Sequence, residues 1–411
     1  MKTYLTVLRI ADYRKLWIGA VVSLLGDGAS WTALAWLGVS RGGAEALTVL
    51  GVCYTAPIIV GGLLAGKLVD RFSRRNLLVL DSVVRGGAMA AIPILALTGS
   101  LQLWHAYVVA AVYGLFKILP IGIVPAVLPE LVPEDKLPTA IAMEAIATGA
   151  AGLIGPAIGG ALIPLVGVQG VLAIDAASYL AFALFVLSMK AKLPRPVADA
   201  GSGAKRGSWG PVLAFLRGDR VMVVITVAFT AFNVAMGMLI VTQPWLAHEK
   251  LAGGATMLGL LVGVLAGAEM LGSLIAGAIK PAVRPMVRIG SLQLVAGGGL
   301  LLLLGANPVL VLIGQVVCGA PAALLTVSSQ TVRYKRTPEE LRARTMTLMR
   351  TLMLGAVPVG SVIAGPLLAA GQYSGMVVLM AVIAGAPGLL SLLIVPSAVV
   401  NRPEVAAAAA A

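Results

Sequence analysis

The sequence predicts an all-α polytopic membrane protein with twelve transmembrane helices in two pseudo-symmetric bundles of six. Three observations carry this. Of the 411 residues, 59% are hydrophobic and only 11% charged, against about 25% charged in a soluble domain. Charge-poor runs recur along the whole chain, and at about 20 apolar residues per span plus a short loop the length holds about twelve. The runs are continuously apolar and do not alternate in segments of about ten residues, which excludes an outer-membrane β-barrel.

In order, the spans fall at 16–38, 46–66, 77–98, 104–127, 139–163, 168–189, 221–246, 256–279, 287–304, 308–330, 346–369 and 375–397, each marked by its lack of charge. Two charge-free runs are too long for one helix. Ile289 to Val332 turns near Gly305-Ala306-Asn307-Pro308, and Thr351 to Asn401 near Gly371-Gln372-Tyr373-Ser374-Gly375, residues that punctuate helices. The first apolar run continues as a full span, so no cleavable signal peptide is expected. The stretch 191–220 contains KLPRPVADAGSGAKRGSWG and reads as a cytoplasmic linker. It divides an N-terminal six-helix bundle, 1–190, from a C-terminal one, 221–400, with a tail at 401–411. The halves repeat weakly at an offset of 210–211 residues: Gly26 with Gly237, Leu64-Ala65-Gly66 with Ile275-Ala276-Gly277, and Gly155-Pro156 with Gly365-Pro366. A shared offset at equivalent depth is the mark of a duplicated transporter architecture.

The net charge of +13 is an orientation signal. Only Arg41 and Lys250 fall in the loops of one face and Lys117 sits inside a span; the other basic residues gather at the opposite face. That face is cytoplasmic by the positive-inside rule, which puts both termini in the cytoplasm of a bacterial inner-membrane protein and basic loops against anionic lipid. No nucleic-acid partner is needed to explain the charge. Cys53 and Cys318 form no C-x-x-C and read as reduced core residues. His105 and His248 lie near outer helix ends, and with scattered acids they form no metal cluster; neither metal nor cofactor is expected. Gly61 to Lys67 has the spacing G-x-x-x-x-G-K, but Leu68 stands where a phosphate loop needs Ser or Thr, and the run ends an apolar helix. The clustered acids, paired histidines or activated serine of a lipid-modifying membrane enzyme are missing, so the chain reads as no enzyme.

After span two comes Gly66-Lys67-Leu68-Val69-Asp70-Arg71-Phe72-Ser73-Arg74-Arg75. An acid followed by three arginines in a tight turn pairs internally or caps a neighbouring helix. The loop resembles the signature G-x-L-a-D-r-x-G-R-k of the major facilitator superfamily, with Ser73 in the place of a glycine. The equivalent turn of the second half, Gly277-Ala278-Ile279-Lys280-Pro281, lacks the acid. The resemblance implies a conformational-switch loop of Gly66, Asp70, Arg71, Arg74 and Arg75, in which Asp70 engages neighbouring helices and favours the outward-facing state. Span five holds Gly152-Leu153-Ile154-Gly155-Pro156-Ala157-Ile158-Gly159-Gly160. Small residues at this spacing let a second backbone approach, and Pro156 bends the helix. The run resembles the G-P-x-x-G-G motif of the superfamily's antiporter branch, carried here by Gly152, Gly155, Pro156, Gly159 and Gly160. With Asp12-Tyr13-Arg14-Lys15-Leu16-Trp17, Ser23-Leu24-Leu25-Gly26-Asp27, Leu131-Val132-Pro133 and Asp175-Ala176-Ala177-Ser178-Tyr179, the chain is similar to the macrolide-efflux and enterobactin-exporter group of drug:proton antiporters. The likeness covers essentially residues 5–400 and is densest in the first half. It implies the major facilitator fold, with spans one, four, seven and ten around a central cavity.

Charges inside the membrane are the site candidates, because each is costly unless paired or facing water. Asp27 lies about 18 Å from the cytoplasmic end of span one and Lys117 about 12 Å above the inner edge of the core, depths that differ by about 6 Å. In the resembled fold they face one another, and Lys117 stands where related antiporters often carry Arg. Glu269 lies about 20 Å deep on span eight, either as a proton-coupling group or hydrogen-bonded between helices. Asp81 and Arg85, four apart on span three, read as a structural ion pair. Asp175 reads as an inter-helix hydrogen-bonding group and Glu144 as a gate or packing residue. The expected function is a monomeric secondary exporter of small amphipathic compounds (drug, macrolide or siderophore-like), coupled to protons by alternating access. Asp27, with Glu269, takes a proton from outside as substrate leaves; Lys117 holds the acid ionised until a cationic or polar substrate competes. Trp31, Phe229, Phe232, Met236 and Met238 are the expected apolar wall. An uptake carrier or facilitator of the same fold is the competing reading.

Overall fold

A computed structural model of the chain describes residues 2–191, 193, 209–279 and 282–393. The core of the expected linker, 194–208, and the tail at 401–411 lie outside the described residues. Among the described residues, ten helices are long and apolar enough to cross a membrane, two of them at double length with 55 and 54 residues. Glycine divides both. The helix Ala11–Arg71 breaks at Gly42 (φ −149°) and Gly43 (φ 59°), and Leu137–Leu187 breaks at Gly167 (φ 73°). The left-handed φ of Gly43 and Gly167 reverses the chain without a loop, and a side chain would be strained there.

Twelve spans result: α1 (11–41), α2 (44–71), α3 Arg74–Leu97, α4 Leu103–Leu131, α5 (137–166), α6 (168–187), α7 Arg220–Glu249, α8 Gly254–Ala278, α9 Pro285–Gly305, α10 Pro308–Arg336, α11 Glu339–Ala369 and α12 Tyr373–Leu393. Short helices at Lys2–Leu8 and Gly210–Gly218 complete them; the second lies inside the expected linker, opened by Pro211 in its first turn. The largest departures from the sequence placements are charged ends. The helix α10 reaches Arg336 where apolarity stops at 330, and α11 starts at Glu339 where apolarity starts at 346. A helix ends where its hydrogen bonds are capped, not where hydropathy falls. The turn before α10 is capped by Asn307, whose Oδ1 accepts from the N–H of Val309 at 2.9 Å.

The chain forms two compact units, Met1–Ser202 with Gln243–Gly263, and Gly203–Thr242 with Val264–Ala411. The division runs through α7 and α8, whereas the sequence places it at the linker. In the first unit α1 packs on α5, α2 on α4 and α3 on α6, each at a glycine. A Cβ added to Gly155 would lie 2.7 Å from the Leu25 carbonyl, one on Gly114 2.3 Å from that of Tyr54, and one on Gly86 3.0 Å from Tyr179 Cβ. The second unit repeats the scheme six helices later. Gly237 on α7 meets Val357 on α11, Gly272 on α8 meets Ala320 on α10, and Gly297 on α9 meets Gly385 on α12. On α11, Gly360 likewise packs against α7 at Val234. Many of the exposed side chains along the spans are apolar, Ile94, Leu165 and Leu184 among them, as lipid contact requires.

Candidate functional site

The first unit is centred on Arg85. Asp81 and Arg85 stand one turn apart on α3, and Nε donates to Asp81 Oδ1 at 3.0 Å while Nη2 donates to Oδ2. The guanidinium does not stop there. Its Nη1 lies 3.3 and 3.2 Å from the two oxygens of Asp27 on α1, and 2.9 Å from the Tyr179 hydroxyl on α6, which in turn donates to Asp27 Oδ1. A planar fork of five donors can hold two carboxylates and a phenol at once. The exposures separate the acids: Arg85 2%, Asp81 0%, Asp27 15%. Asp27 alone of the three reaches toward solvent. Gly86, beside Arg85, lets α3 approach Tyr179 closely enough to close the network.

Asp27 therefore meets Arg85, and Lys117 takes a different partner. Lys117 sits where α4 is interrupted between Phe116 and Ile118. Its Nζ donates to the Tyr54 hydroxyl at 2.7 Å and lies 4.9 and 5.5 Å from the ring centres of Tyr54 and Tyr113. Tyr54 stacks on Tyr113 at 5.3 Å and contacts Trp31 at 4.1 Å. The Tyr113 ring is shared, since the Arg85 guanidinium lies 5.6 Å from it; two cations lie against one aromatic ring. Asp175, 1% exposed, accepts from Ser30 and from Ser178, the latter at 3.0 Å. It fits only because Gly26 has no side chain: a Cβ there would lie 2.0 Å from Asp175 Oδ1. Gly26→Ala is expected to lower stability by about 1–3 kcal/mol through overpacking, read as a fall in the thermal midpoint in detergent. Gly87→Ala, where a Cβ meets nothing within 4 Å, is the matched control and should not fall.

In the switch loop, Gly66 lies on the last turns of α2, and the Asp70 side chain lies outside the described residues. Arg71 is exposed beside the Phe72 ring. Arg74 pairs with Glu130 and donates to the Ala126 carbonyl at 3.3 Å, both on α4, while Arg75 donates to the Leu187 carbonyl at the end of α6. The Ser73 that replaces the signature glycine is the N-cap of α3, its Oγ accepting from the Asn76 N–H at 3.2 Å. Asp12 likewise accepts from the N–H groups of Lys190 and Ala191, at 3.1 and 2.8 Å.

The glycine run of α5 packs on two sides. Gly155 and Gly159 face α1 at Leu25 and Ala29, and Gly28 faces Pro156. Gly160 faces α8: a Cβ on it would lie 2.6 Å from the Ala255 carbonyl and 2.9 Å from Gly259 Cα. Thr256 Oγ1 donates to the Gly160 carbonyl at 3.2 Å. Gly152 is half-buried on the same helix. This close approach is why residues 254–263 belong to the first unit.

The second unit holds a cavity of about 1130 Å³. Of the apolar wall residues expected from sequence, Phe229, Phe232 and Met236 line it. Met238, two residues on and so on the opposite helix face, is fully buried, and Trp31 belongs to the aromatic stack of the first unit. Glu269 lines the cavity and has no hydrogen bond or ion pair among the described residues. Sequence reasoning missed Tyr54, Tyr113 and Tyr179 as polar partners, and Arg333, Arg342 and Arg350 on the cavity wall. A phenol in mid-span was the signal available for the tyrosines; the arginines merge with the basic residues that set topology.

Residues 2–410 match the family model described as transmembrane secretion effector. The chain is 26% identical over an aligned 415 residues to the multidrug efflux pump Tap of Mycobacterium tuberculosis, covering 93% of this chain and 95% of that protein. It is 27% identical over 219 residues to the MFS-type transporter YfiS of Bacillus subtilis, covering 51% of this chain and 50% of that protein, about half its length. Among solved structures, it resembles a bacterial homologue of the iron transporter ferroportin in an inward-facing state, with a TM-score of 0.71 at 15% identity over 96% of this chain and 99% of that one. That likeness is one of fold.

Proposed function

Because the chain belongs to the transmembrane secretion effector family of the major facilitator superfamily, and is thus a multi-pass membrane transporter of small molecules, we propose that it is a proton-coupled exporter of amphipathic compounds. The observation that carries the reading is Asp27, an ionisable group held by Arg85 and Tyr179 yet the most accessible of the network's acids. The similarity to a multidrug efflux pump supports the direction. A proton entering from outside neutralises Asp27, weakens its hold on Arg85 and lets the first unit change its packing. One inward proton contributes about 2.3 kcal/mol per 100 mV. The glycine seam between α5 and residues 254–263 is the packing that parts and reforms as access alternates. The protein works as a monomer in a bacterial inner membrane, with both termini and the basic loops on the cytoplasmic side facing anionic lipid.

Everted membrane vesicles test this. A fluorescent amphipathic compound should accumulate inside them only while a proton gradient is imposed, and a protonophore should release it. Gradient-independent flux in the wild type would overturn the antiport. Glu269→Gln should slow gradient-driven accumulation severalfold if the cavity acid exchanges a proton, and an unchanged rate removes Glu269 from the coupling.

A further inference from the structure

Among the described residues, Arg333 on α10 is a cation buried without a counter-ion. Its side chain is 7% exposed, and its contacts are the Ser329 carbonyl at 3.4 Å, the Ser329 hydroxyl at 3.5 Å, the Met353 sulfur at 3.5 Å and the Phe229 ring at 5.7 Å. None is a carboxylate, and the contacts to oxygen sit at the long limit of hydrogen bonding. A desolvated guanidinium is costly unless paired. Arg342 and Arg350, both from α11, stand on the wall of the same cavity. The Arg342 Nε is buried with no partner and its guanidinium lies 5.5 Å from the Tyr334 ring; Arg350 makes no ion pair among the described residues. The cavity's acids, Glu269 and Glu339, pair with none of the three. Nearby, at the end of α10, Arg336 holds Asp219 at 2.8 Å. Among the described residues, the fold thus supplies a carboxylate to Arg336 and none to the three cavity arginines.

We propose that this cavity binds the anionic group of an amphipathic substrate, a carboxylate, sulfonate or phosphate carried on an apolar frame, through Arg333, Arg342 and Arg350. The inference rests on the reading of an exporter of amphipathic compounds and adds the sign of their charge. Guanidinium groups hold such oxyanions bidentately, while Phe229, Phe232, Met236 and Met353 receive the frame. The volume of about 1130 Å³ is somewhat larger than the upper bound of about 1,000 Å³ for typical small-ligand sites, leaving room for a drug-sized frame.

Fluorescein and rhodamine 6G share a xanthene frame and carry opposite charge, so they isolate the claim. Binding of each to the purified full-length protein is read by fluorescence polarisation. Fluorescein should bind about tenfold more tightly than rhodamine 6G, the effect of one charge-assisted hydrogen bond. Arg342→Gln and Arg350→Gln should each weaken fluorescein about tenfold and leave rhodamine 6G within about twofold. Arg333→Lys should retain part of what Arg333→Gln loses. Where Arg333→Gln does not fold, the variants of Arg342 and Arg350, neither of them buried, decide the matter. Preference for rhodamine 6G, or equal loss of both dyes in folded variants, overturns the proposal. Selective fluorescein binding without gradient-driven flux would sink the exporter reading and leave this one standing. Gradient-driven export of rhodamine 6G alone, indifferent to the arginines, would do the reverse.

Discussion

Arg85→Met is expected to destabilise the first unit by about 3–5 kcal/mol, the loss on removing one partner of a buried ion pair. Methionine keeps much of the length and none of the charge. Asp81, fully buried, and Asp27 would then stand together with no guanidinium between them, and the Tyr179 hydroxyl would lose its donor from Nη1. The measurement is the thermal midpoint in detergent together with the monodisperse yield. Adding Asp81→Asn removes one of the stranded charges and should recover a large part of the loss. Arg85→Lys should recover little, because a single ammonium cannot present two parallel donors to Asp81 and a third to Asp27. An Arg85→Met protein that melts with the wild type would mean the network is solvated and contributes nothing to the fold.

The helices were legible because lipid forces every backbone group to be satisfied within the span, and the residues that achieve this are continuously apolar. The turn at Asn307 was legible for the same reason, since polar and turn-forming residues interrupt the run. The ends of α10 and α11 were not, because Arg336 and Glu339 extend helices by hydrogen bonding that hydropathy does not record. Within the site, spacing exposes only local partners. Asp81 and Arg85 lie four apart on one helix, a distance the sequence states outright. The link from Arg85 to Asp27 crosses between helices, and no periodicity says which face of α3 meets α1; the reading from depth alone paired Asp27 with Lys117. Depth was a sound constraint, but the Tyr113 ring shared by the two cations shows that two residues of similar depth can be served by different partners. The cavity arginines were hidden by the strength of another signal. Arg333, Arg342 and Arg350 sit at the basic end of their helices, where charge is expected for topology, and only their missing carboxylates distinguish them.

Asp27→Asn is expected to lower gradient-driven transport by about two orders of magnitude, the scale on which loss of a positioned proton-transfer group acts. Asparagine has the shape of the protonated acid and cannot lose a proton, so it holds the network permanently in one of its two charge states. Counterflow of substrate at equal pH on both sides should therefore survive while the response to a proton gradient disappears. In proteoliposomes the wild-type rate should rise as the outside is acidified, and that of the Asp27→Asn protein should stay flat. Asp27→Glu, one methylene longer, should restore part of the gradient response, because the carboxylate returns although its distance to Arg85 changes. Asp81→Asn is the sharper control: Asp81 is the better buried acid on the same guanidinium, so its loss should weaken the fold and leave the dependence on gradient intact. A folded Asp27→Asn protein whose flux still follows the gradient would move the proton to Glu269, which lines its cavity without a partner among the described residues, or to Asp175, held by two hydroxyls. Glu269→Gln and Asp175→Asn placed on top of Asp27→Asn would then decide between them, since only the acid that carries the proton would abolish the remaining response.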